Sequence, residues 1–229
     1  RSVVTWSSVI AGYAQEGQGH EALSCFEEMQ KDGISPDGVT FISILKSCGC
    51  IGAIDRGTQI HCEIVSRGLL EKDVMLGTAL VDMYAKCNMV AKSQQVLEDL
   101  HIRDVVSWSA IISGYAEQGH CREAWSCFKQ MQTESLSPNT ATFVCILKAC
   151  TIAGAIDKGK HIHSKICGMC LLEKDIMLGG ALVDMYAKCG VLTKAQEVHD
   201  KLSVRSEASW NALISGYVMQ GKNHSALKC

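Results

Sequence analysis

The sequence predicts an all-α protein, a right-handed α-solenoid superhelix built from stacked helix-turn-helix hairpins. The chain repeats itself, its apolar residues recur at helical spacing, and no stretch shows the apolar–polar alternation of a strand. A gap-free alignment of residues 3–104 with 105–206 finds 54 identical positions among 102. Trp6, Trp108 and Trp210 mark the same place in these two blocks and in a third, incomplete block. The whole chain, 1–229, is therefore predicted to be one repeat array.

Each block divides into three hairpins, with boundaries at 3–37, 38–73 and 74–104, then at 105–139, 140–175 and 176–206, and with a partial hairpin over 207–229. In the first hairpin, Gly17 interrupts the apolar pattern, and Gly33 with Pro36 ends it. Val9 and Val65 are predicted to lie on buried helix faces. A hairpin of about 35 residues cannot bury its apolar side alone, so neighbouring hairpins must stack into a continuous core.

The charge balance narrows the function classes. The chain carries 22 Lys and Arg against 24 Asp and Glu. This balance excludes a strongly basic binder of duplex DNA or of an acidic membrane surface, but it permits a narrow basic groove. No apolar run approaches the ~18 residues of a membrane helix. Thirteen cysteines are too few for a disulfide scaffold of this length, so most are predicted to be small buried hydrophobes in a reducing compartment.

Catalysis, cofactors and metals are not predicted. Cys167, Cys170 and His163 have the spacing of zinc ligands, but the first block carries Val65 and Gly68 where the cysteines stand, and a second ligand pair is missing. His163 is therefore predicted to be a packing residue. The paired motifs of a zinc deaminase are also missing from the chain.

The segments 3–13, 21–29 and 33–37 together resemble a pentatricopeptide repeat, and so do their counterparts along the chain. The succession of hairpins of 35, 36 and 31 residues resembles the plant subclass that alternates P, L and S repeats. The resemblance implies P repeats at 3–37 and 105–139, L repeats at 38–73 and 140–175, S repeats at 74–104 and 176–206, and a partial P repeat at 207–229. It also implies a non-enzymatic RNA-binding solenoid of the mitochondrion or chloroplast, with about one base per repeat.

The resemblance further implies which residues contact RNA. In this family the fifth and last residues of a repeat select the base, the second residue packs against it, and a lysine contacts phosphate. The base-selecting residues are then Ser7, Asp37, Thr78, Asp104, Ser109, Asn139, Gly180, Ser206 and Asn211. The base-packing residues are Val4, Val39, Met75, Val106, Ala141, Met177 and Ala208, and the phosphate-contacting residues are Lys86 and Lys188. The implied site is 5′-GNGANNY-3′, as used in organellar RNA processing or in recognition of C-to-U editing sites.

The chemistry of these positions supports the same expectation independently. Residues two and five of a repeat lie three apart on one helix and share a face. An apolar side chain beside a short polar one suits an unstacked base, because one packs on the ring and the other meets its edge. The alternative is purely structural, with Asp37 and Asp104 acting only as helix N-caps. The L repeats carry the aliphatic Ile42 and Val144 at position five, so they are expected to space the array.

Two other function classes stay open. One is an α-solenoid scaffold for protein partners without RNA specificity, which the slightly acidic net charge and the unusual pair of Gly180 and Ser206 favour. The other is a non-functional remnant of a duplicated gene. The expected partners are single-stranded RNA, an editing deaminase or other editing-complex proteins in trans, and a second copy of the chain by end-to-end association. No membrane partner is expected.

Overall fold

The computed structural model describes residues 2–70, 73–172 and 175–228. Glu71, Lys72, Glu173 and Lys174, which belong to the repeated segments 69–73 and 171–175, lie outside the described residues. Fourteen α-helices occupy the described ranges. They are α1 Val3–Gln15, α2 Gly19–Lys31, α3 Gly38–Ile51, α4 Ile54–Ser66, α5 Val74–Lys86, α6 Val90–Asp99, α7 Val105–Glu117, α8 Cys121–Thr133, α9 Thr140–Ile152, α10 Ile156–Gly168, α11 Ile176–Lys188, α12 Leu192–Lys201, α13 Glu207–Met219 and α14 Asn223–Lys228.

The helices form antiparallel pairs that stack on the next pair. The chain divides into two compact units, 1–114 and 115–229. In the first unit α1 packs against α2 and α3, α3 packs against α5, and α5 packs against α6. In the second unit α9 packs against α8, α10 and α11, and α11 packs against α12 and α13. Within each unit the first helices of successive pairs are thus in contact, α1 with α3 and α3 with α5 in the first unit and α9 with α11 and α11 with α13 in the second. The prediction of stacked helix pairs is confirmed.

The predicted helix ends coincide with residues in the left-handed backbone region. Gly33 has φ +71° two residues after the end of α2, and Asn88 has φ 64° in the turn between α5 and α6. Glycine adopts this conformation without steric cost, and asparagine tolerates it better than other side chains do. These two positions end their helices where the sequence pattern predicts.

The buried stripe of each helix is narrower than the apolar pattern suggests. Trp6 and Ile10 are buried on α1, and Ile60 and Ile64 are buried on α4. Val9 and Val65, however, are 42% and 53% exposed, so their predicted burial is wrong. At 3.6 residues per turn each lies about 100° from the middle of its buried stripe and points away from the neighbouring pair.

Two histidines fix the junction between the second and third hairpins of each block. His163 Nδ1 lies 2.9 Å from the hydroxyl of the buried Tyr186, and His61 makes the same contact with Tyr84. Partial burial, followed by the charge of nearby lysines, lowers the pKa of His163. The prediction that His163 is a packing residue is confirmed.

His199 is a polar side chain in an apolar position. Its ring is fully buried against Trp210 at a centroid distance of 4.2 Å, and neither ring nitrogen has a hydrogen-bond partner among the described residues. The first block places Leu97 at the equivalent position, where it is also buried. Burial and then the Arg205 guanidinium lower the pKa of His199, so the folded chain keeps the ring neutral.

We predict that His199→Leu stabilises the protein by about 1–3 kcal/mol, because an unpaired buried polar group costs that much. The stability gap between variant and wild type should widen as pH falls below ~6.5, where the unfolded wild-type chain gains a proton that the folded chain resists. Urea melts at pH 7.5 and pH 5.5 measure both effects. Equal stability of the two proteins at both pH values would contradict this account of His199.

Candidate nucleic-acid interface

An exposed row of apolar residues follows the first helix of every pair. Each member is the second residue of its helix, and this position lies outside the buried stripe. The valines and methionines in the row are 57–68% exposed, and the two alanines are exposed as well. The row comprises Val4, Val39, Met75 and Val106 in the first unit and Ala141, Met177 and Ala208 in the second. All the predicted base-packing residues are therefore accessible to a ligand.

Beside this row, Ser7 and Asp37 lie in one hydrogen-bond network with Thr40. The Thr40 hydroxyl donates to Asp37 Oδ1 over 2.6 Å, and the Thr40 backbone N–H donates to the same oxygen over 2.9 Å. Ser7 Oγ lies 2.7 Å from Thr40 Oγ1 and 3.2 Å from Asp37 Oδ1. Its other neighbour is the Val3 carbonyl oxygen at 2.8 Å. The structure therefore brings together the predicted fifth and last residues of the first repeat.

The protons in this network determine what it can offer a ligand. The single hydroxyl proton of Thr40 goes to Asp37, and that of Ser7 goes to one of its three oxygen neighbours. Burial alone would raise the pKa of Asp37, but the hydrogen bonds from Thr40 and Ser7 outweigh it and hold that pKa below its ordinary value. The carboxylate is thus ionised. Ser7 is buried, with 5% of its surface exposed, and Asp37 is half-buried. The groups that this pair can offer a ligand are the Ser7 oxygen, at its small exposed surface, and the second oxygen of Asp37, which are both acceptors.

In the third repeat, Thr78 and Asp104 are joined by a hydrogen bond in the same way as Ser7 and Asp37. The Thr78 hydroxyl donates to Asp104 Oδ1 over 3.4 Å, and the Ser107 backbone N–H donates to that oxygen over 2.7 Å. Every hydrogen bond described for the Asp104 side chain therefore falls on Oδ1. This pair too offers acceptors.

Asn139 differs from the aspartates because its amide has two unlike ends. The backbone N–H of Thr142 points at the amide from 2.9 Å, and a backbone N–H can only donate, so the atom that it meets is Oδ1. The Thr142 hydroxyl donates to the same oxygen over 2.9 Å. The amide nitrogen, a donor, is consequently directed outward on an exposed residue. Ser109 donates its own proton to the Val105 carbonyl over 2.7 Å.

Two shallow cavities hold most of the predicted site residues of the second unit. A cavity of about 520 Å³ is lined by Met177, Gly180, Ser206, Ala208 and Asn211. The cavity extends to Gly180 because glycine has no side chain to occupy this space, whereas the first block has Thr78 at the equivalent position.

A second cavity, of about 560 Å³, lies beside Asn139, Ala141 and Met177. Val144, at position five of the second predicted L repeat, lies in the wall of both cavities. Ile42, at the same position of the first predicted L repeat, is half-buried.

The two predicted phosphate-contacting lysines are held in ion pairs. Lys86 Nζ lies 2.7 Å from Asp82 Oδ2, and Lys188 Nζ lies 2.9 Å from Asp184 Oδ1, each pair one helical turn apart. Both lysines are exposed, and Asp184 and Lys188 also line the cavity of about 520 Å³. An exposed pair of this kind contributes little stability, so phosphate can compete for the ammonium. The pairing nevertheless reduces the positive charge of the site.

The last residues of the predicted P and S repeats are helix N-caps as well as candidate base contacts. Asp37, Asn139 and Ser206 accept a backbone N–H of α3, α9 and α13 respectively. The structural role considered as an alternative is therefore present, and it leaves the outer atoms of Asp37 and Asn139 available.

Sequence reasoning missed the third residues of the helices that carry these caps. They are Thr40, Ser107, Thr142 and Ser209, all buried. A hydroxyl residue three positions after each cap was a visible signal of a capping arrangement.

Other site types find no support in the described ranges. The residues 2–70, 73–172 and 175–228 contain no group of three His, Cys, Asp or Glu side chains placed to hold a metal ion. Cys167 and Cys170 are exposed thiols. No helix in the same ranges is long and apolar enough to cross a membrane.

The fold and the site define a helical-repeat protein that presents matched apolar and polar positions along one helix layer. Comparison with known families gives the same class. The model of the PPR repeat family matches residues 1–50 and 103–151, and the PPR repeat model matches residues 208–229. Together these matches cover more than half of the chain, which belongs to the pentatricopeptide repeat family.

Curated relatives come from Arabidopsis thaliana. A chloroplastic pentatricopeptide repeat-containing protein is 40% identical over 228 residues, which are 100% of this chain and 37% of that protein. A mitochondrial one is 36% identical over 214 residues, which are 93% of this chain and 21% of that protein. The chain thus spans a fifth to little more than a third of the length of these relatives.

Solved structures confirm the architecture. The crystal structure of the pentatricopeptide repeat protein PPR10 from maize matches with a TM-score of 0.67 at 20% identity, and the match covers 94% of this chain and 32% of that one. PPR10 in complex with an 18-nt psaJ RNA element matches with a TM-score of 0.60 at 17% identity, over 98% of this chain and 39% of that one. At these identities the likeness establishes the fold.

Proposed function

We propose that the chain is a sequence-specific, single-stranded RNA-binding module of the subclass with P, L and S repeats, and that its site is 5′-GNGANNY-3′. The observation that carries the proposal is the hydrogen-bonded pairing of position five with the last residue, beside an exposed apolar residue. A base sandwiched between two neighbours of the apolar row would place its edge against such a pair. PPR10, which has the same fold, is known in complex with RNA.

The acceptor pairs are complementary to guanine. The Watson–Crick edge of guanine carries two adjacent donors, N1–H and N2–H₂, and the pair of Ser7 and Asp37 offers two acceptors. The pair of Thr78 and Asp104 offers the same two acceptors. We therefore assign guanine to the first and third bases of the site. Adenine would place its N1 lone pair against an acceptor and be disfavoured.

The fourth base is assigned to adenine. In the repeat register Ser109 and Asn139 belong to one repeat. Ser109 offers lone pairs, and Asn139 offers its amide N–H₂. Adenine is the base that the family pattern assigns to these two residues, and its N1 is an acceptor for the Asn139 amide N–H₂.

The remaining repeats contribute less selection. Gly180 offers no group, and the single Ser206 oxygen already accepts the Ser209 N–H over 3.2 Å, so the sixth base is unspecified. Ile42 and Val144 cannot form hydrogen bonds with a base edge, so the second and fifth bases are unspecified as well. Asn211 is assigned a pyrimidine by the family pattern alone.

The cellular role is part of the proposal. The names of relatives place them in the chloroplast or the mitochondrion, and we propose an organellar role in RNA processing or in recognition of C-to-U editing sites. A deaminase in trans and end-to-end association of the chain belong to the same proposal. With only two lysines at the backbone positions, both paired with aspartates, we expect a shallow dependence of affinity on salt.

A protein-interaction scaffold is the second candidate. The observation that favours it is the neutralisation of Lys86 and Lys188 by carboxylates on the same helix, which makes the site less electropositive than an RNA-binding surface usually is. A scaffold would be indifferent to the identity of individual bases.

We predict that Thr78→Asn shifts the preference at the third base from guanine towards uracil, because the amide adds a donor where the wild type offers acceptors. Fluorescence anisotropy with labelled 5′-GNGANNY-3′ RNA measures this preference against RNA with G or U at that base. A control RNA exchanges the third G with the fourth A, and the wild type should bind it at least about tenfold more weakly. Binding of both RNAs with equal affinity would instead favour the scaffold.

We predict that the double variant Gly180→Thr with Ser206→Asp acquires a guanine preference at the sixth base. A Cβ at Gly180 would meet Ala208 at 3.6 Å and Ser206 at 3.8 Å, which are ordinary contacts, so the larger side chain fits. The change rebuilds the pair of Thr78 and Asp104. Gly180→Thr alone is the matched control, and anisotropy with each of the four bases at the sixth position is the measurement. A double variant that stays indifferent there would contradict the assignment of these positions.

A further inference from the structure

We infer that Thr40 is a positioning residue for base selection, which keeps Ser7 and Asp37 as a pure acceptor pair although it never touches the RNA. The inference deepens the proposed function and rests on it. Thr40 lies at the third position of an L repeat. The family pattern assigns base contacts to the second, fifth and last positions of a repeat, so Thr40 is not one of the predicted contact residues.

The contacts of Thr40 separate positioning from direct contact. Its side chain has no exposed surface, so a base cannot reach it. Its hydroxyl nevertheless joins the two base-selecting residues, at 2.7 Å from Ser7 Oγ and 2.6 Å from Asp37 Oδ1. These three oxygens form a closed triangle, because Ser7 also lies 3.2 Å from Asp37 Oδ1.

The Thr40 hydroxyl controls both members of the pair through hydrogen bonds. Its proton is a second donor to Asp37 Oδ1, and two donors at one oxygen hold the carboxylate plane so that Oδ2 faces outward. Its lone pairs give the Ser7 proton an inward acceptor. Without this hydroxyl, the carboxylate keeps the backbone N–H and the longer contact with Ser7, and the Ser7 proton has one acceptor fewer inside the protein. Ser7 can then turn its proton towards the base and donate a hydrogen bond to adenine N1.

The chain contains a natural contrast to Thr40. Ser107 occupies the equivalent position beside Thr78 and Asp104, but its hydroxyl donates to the Asp104 backbone carbonyl over 2.9 Å and not to the side chain. Ser209 does the same with the Ser206 carbonyl over 2.8 Å. Selection of the first base should therefore depend on the hydroxyl at position three, and selection of the third base should not.

Thr40→Val tests the inference, because valine keeps the shape and the backbone N–H cap and removes only the hydroxyl. Anisotropy measures the affinity ratio for G against A at the first base and, separately, at the third base. We expect Thr40→Val to reduce the first-base ratio at least about fivefold while the third-base ratio stays within about twofold of wild type. Thr40→Ser, which restores a hydroxyl, should restore most of the first-base ratio.

Ser107→Ala is the matched control and should leave the third-base ratio unchanged within about twofold. An unchanged first-base ratio in Thr40→Val would overturn the inference, and so would an equal loss at both bases, since that pattern indicates a purely structural role. Wild-type protein without any first-base preference would instead refute the proposed function, which separates the two failures.

Discussion

The hydrogen bond that caps the first helix of each pair is the interaction on which the proposed site depends. A helix begins with backbone N–H groups that have no partner within the helix, and the residue before it supplies an oxygen. Where the preceding repeat is a predicted P or S repeat, that residue is also its last residue. The cap therefore joins consecutive hairpins, and it uses one end of a planar side chain in doing so. At Asp37 and Asn139 the cap uses Oδ1, so the other end of the side chain is an acceptor oxygen in Asp37 and a donor nitrogen in Asn139.

A second constraint comes from stacking. Each helix of a pair buries a narrow stripe, and the residues that face away from it include the second residue of the first helix. That residue is apolar in all seven first helices of the described chain and stays exposed. Stacking of hairpins thus places an apolar side chain next to each capped pair without any special local geometry. The duplicated block repeats this arrangement, although Gly180 stands where the first block has Thr78.

Much of the fold followed from the sequence because its signals are local. Glycine, asparagine and proline mark the helix ends, and the 102-residue duplication fixes the hairpin order. The errors at Val9 and Val65 arose because an apolar pattern does not reveal the width of the buried stripe. The pairing of Lys86 with Asp82 was within reach, since the two residues are four apart on a helix. The contact between Ser7 and Thr40 was not, because it joins residues 33 apart and depends on how two hairpins stack. His199 was equally hidden, since only the structure shows it buried without a hydrogen-bond partner among the described residues.

The central claim is that the cap determines whether the last residue offers a donor or an acceptor. Asn139→Asp tests it most directly, because it replaces the outward amide nitrogen by an oxygen while Oδ1 can still accept from Thr142. The measurement is the affinity of wild type and variant for RNA that differs only in A or G at the fourth base. The account predicts that the preference inverts from A to G, with the first-base and third-base preferences unchanged. A variant that still prefers A at the fourth base would contradict it.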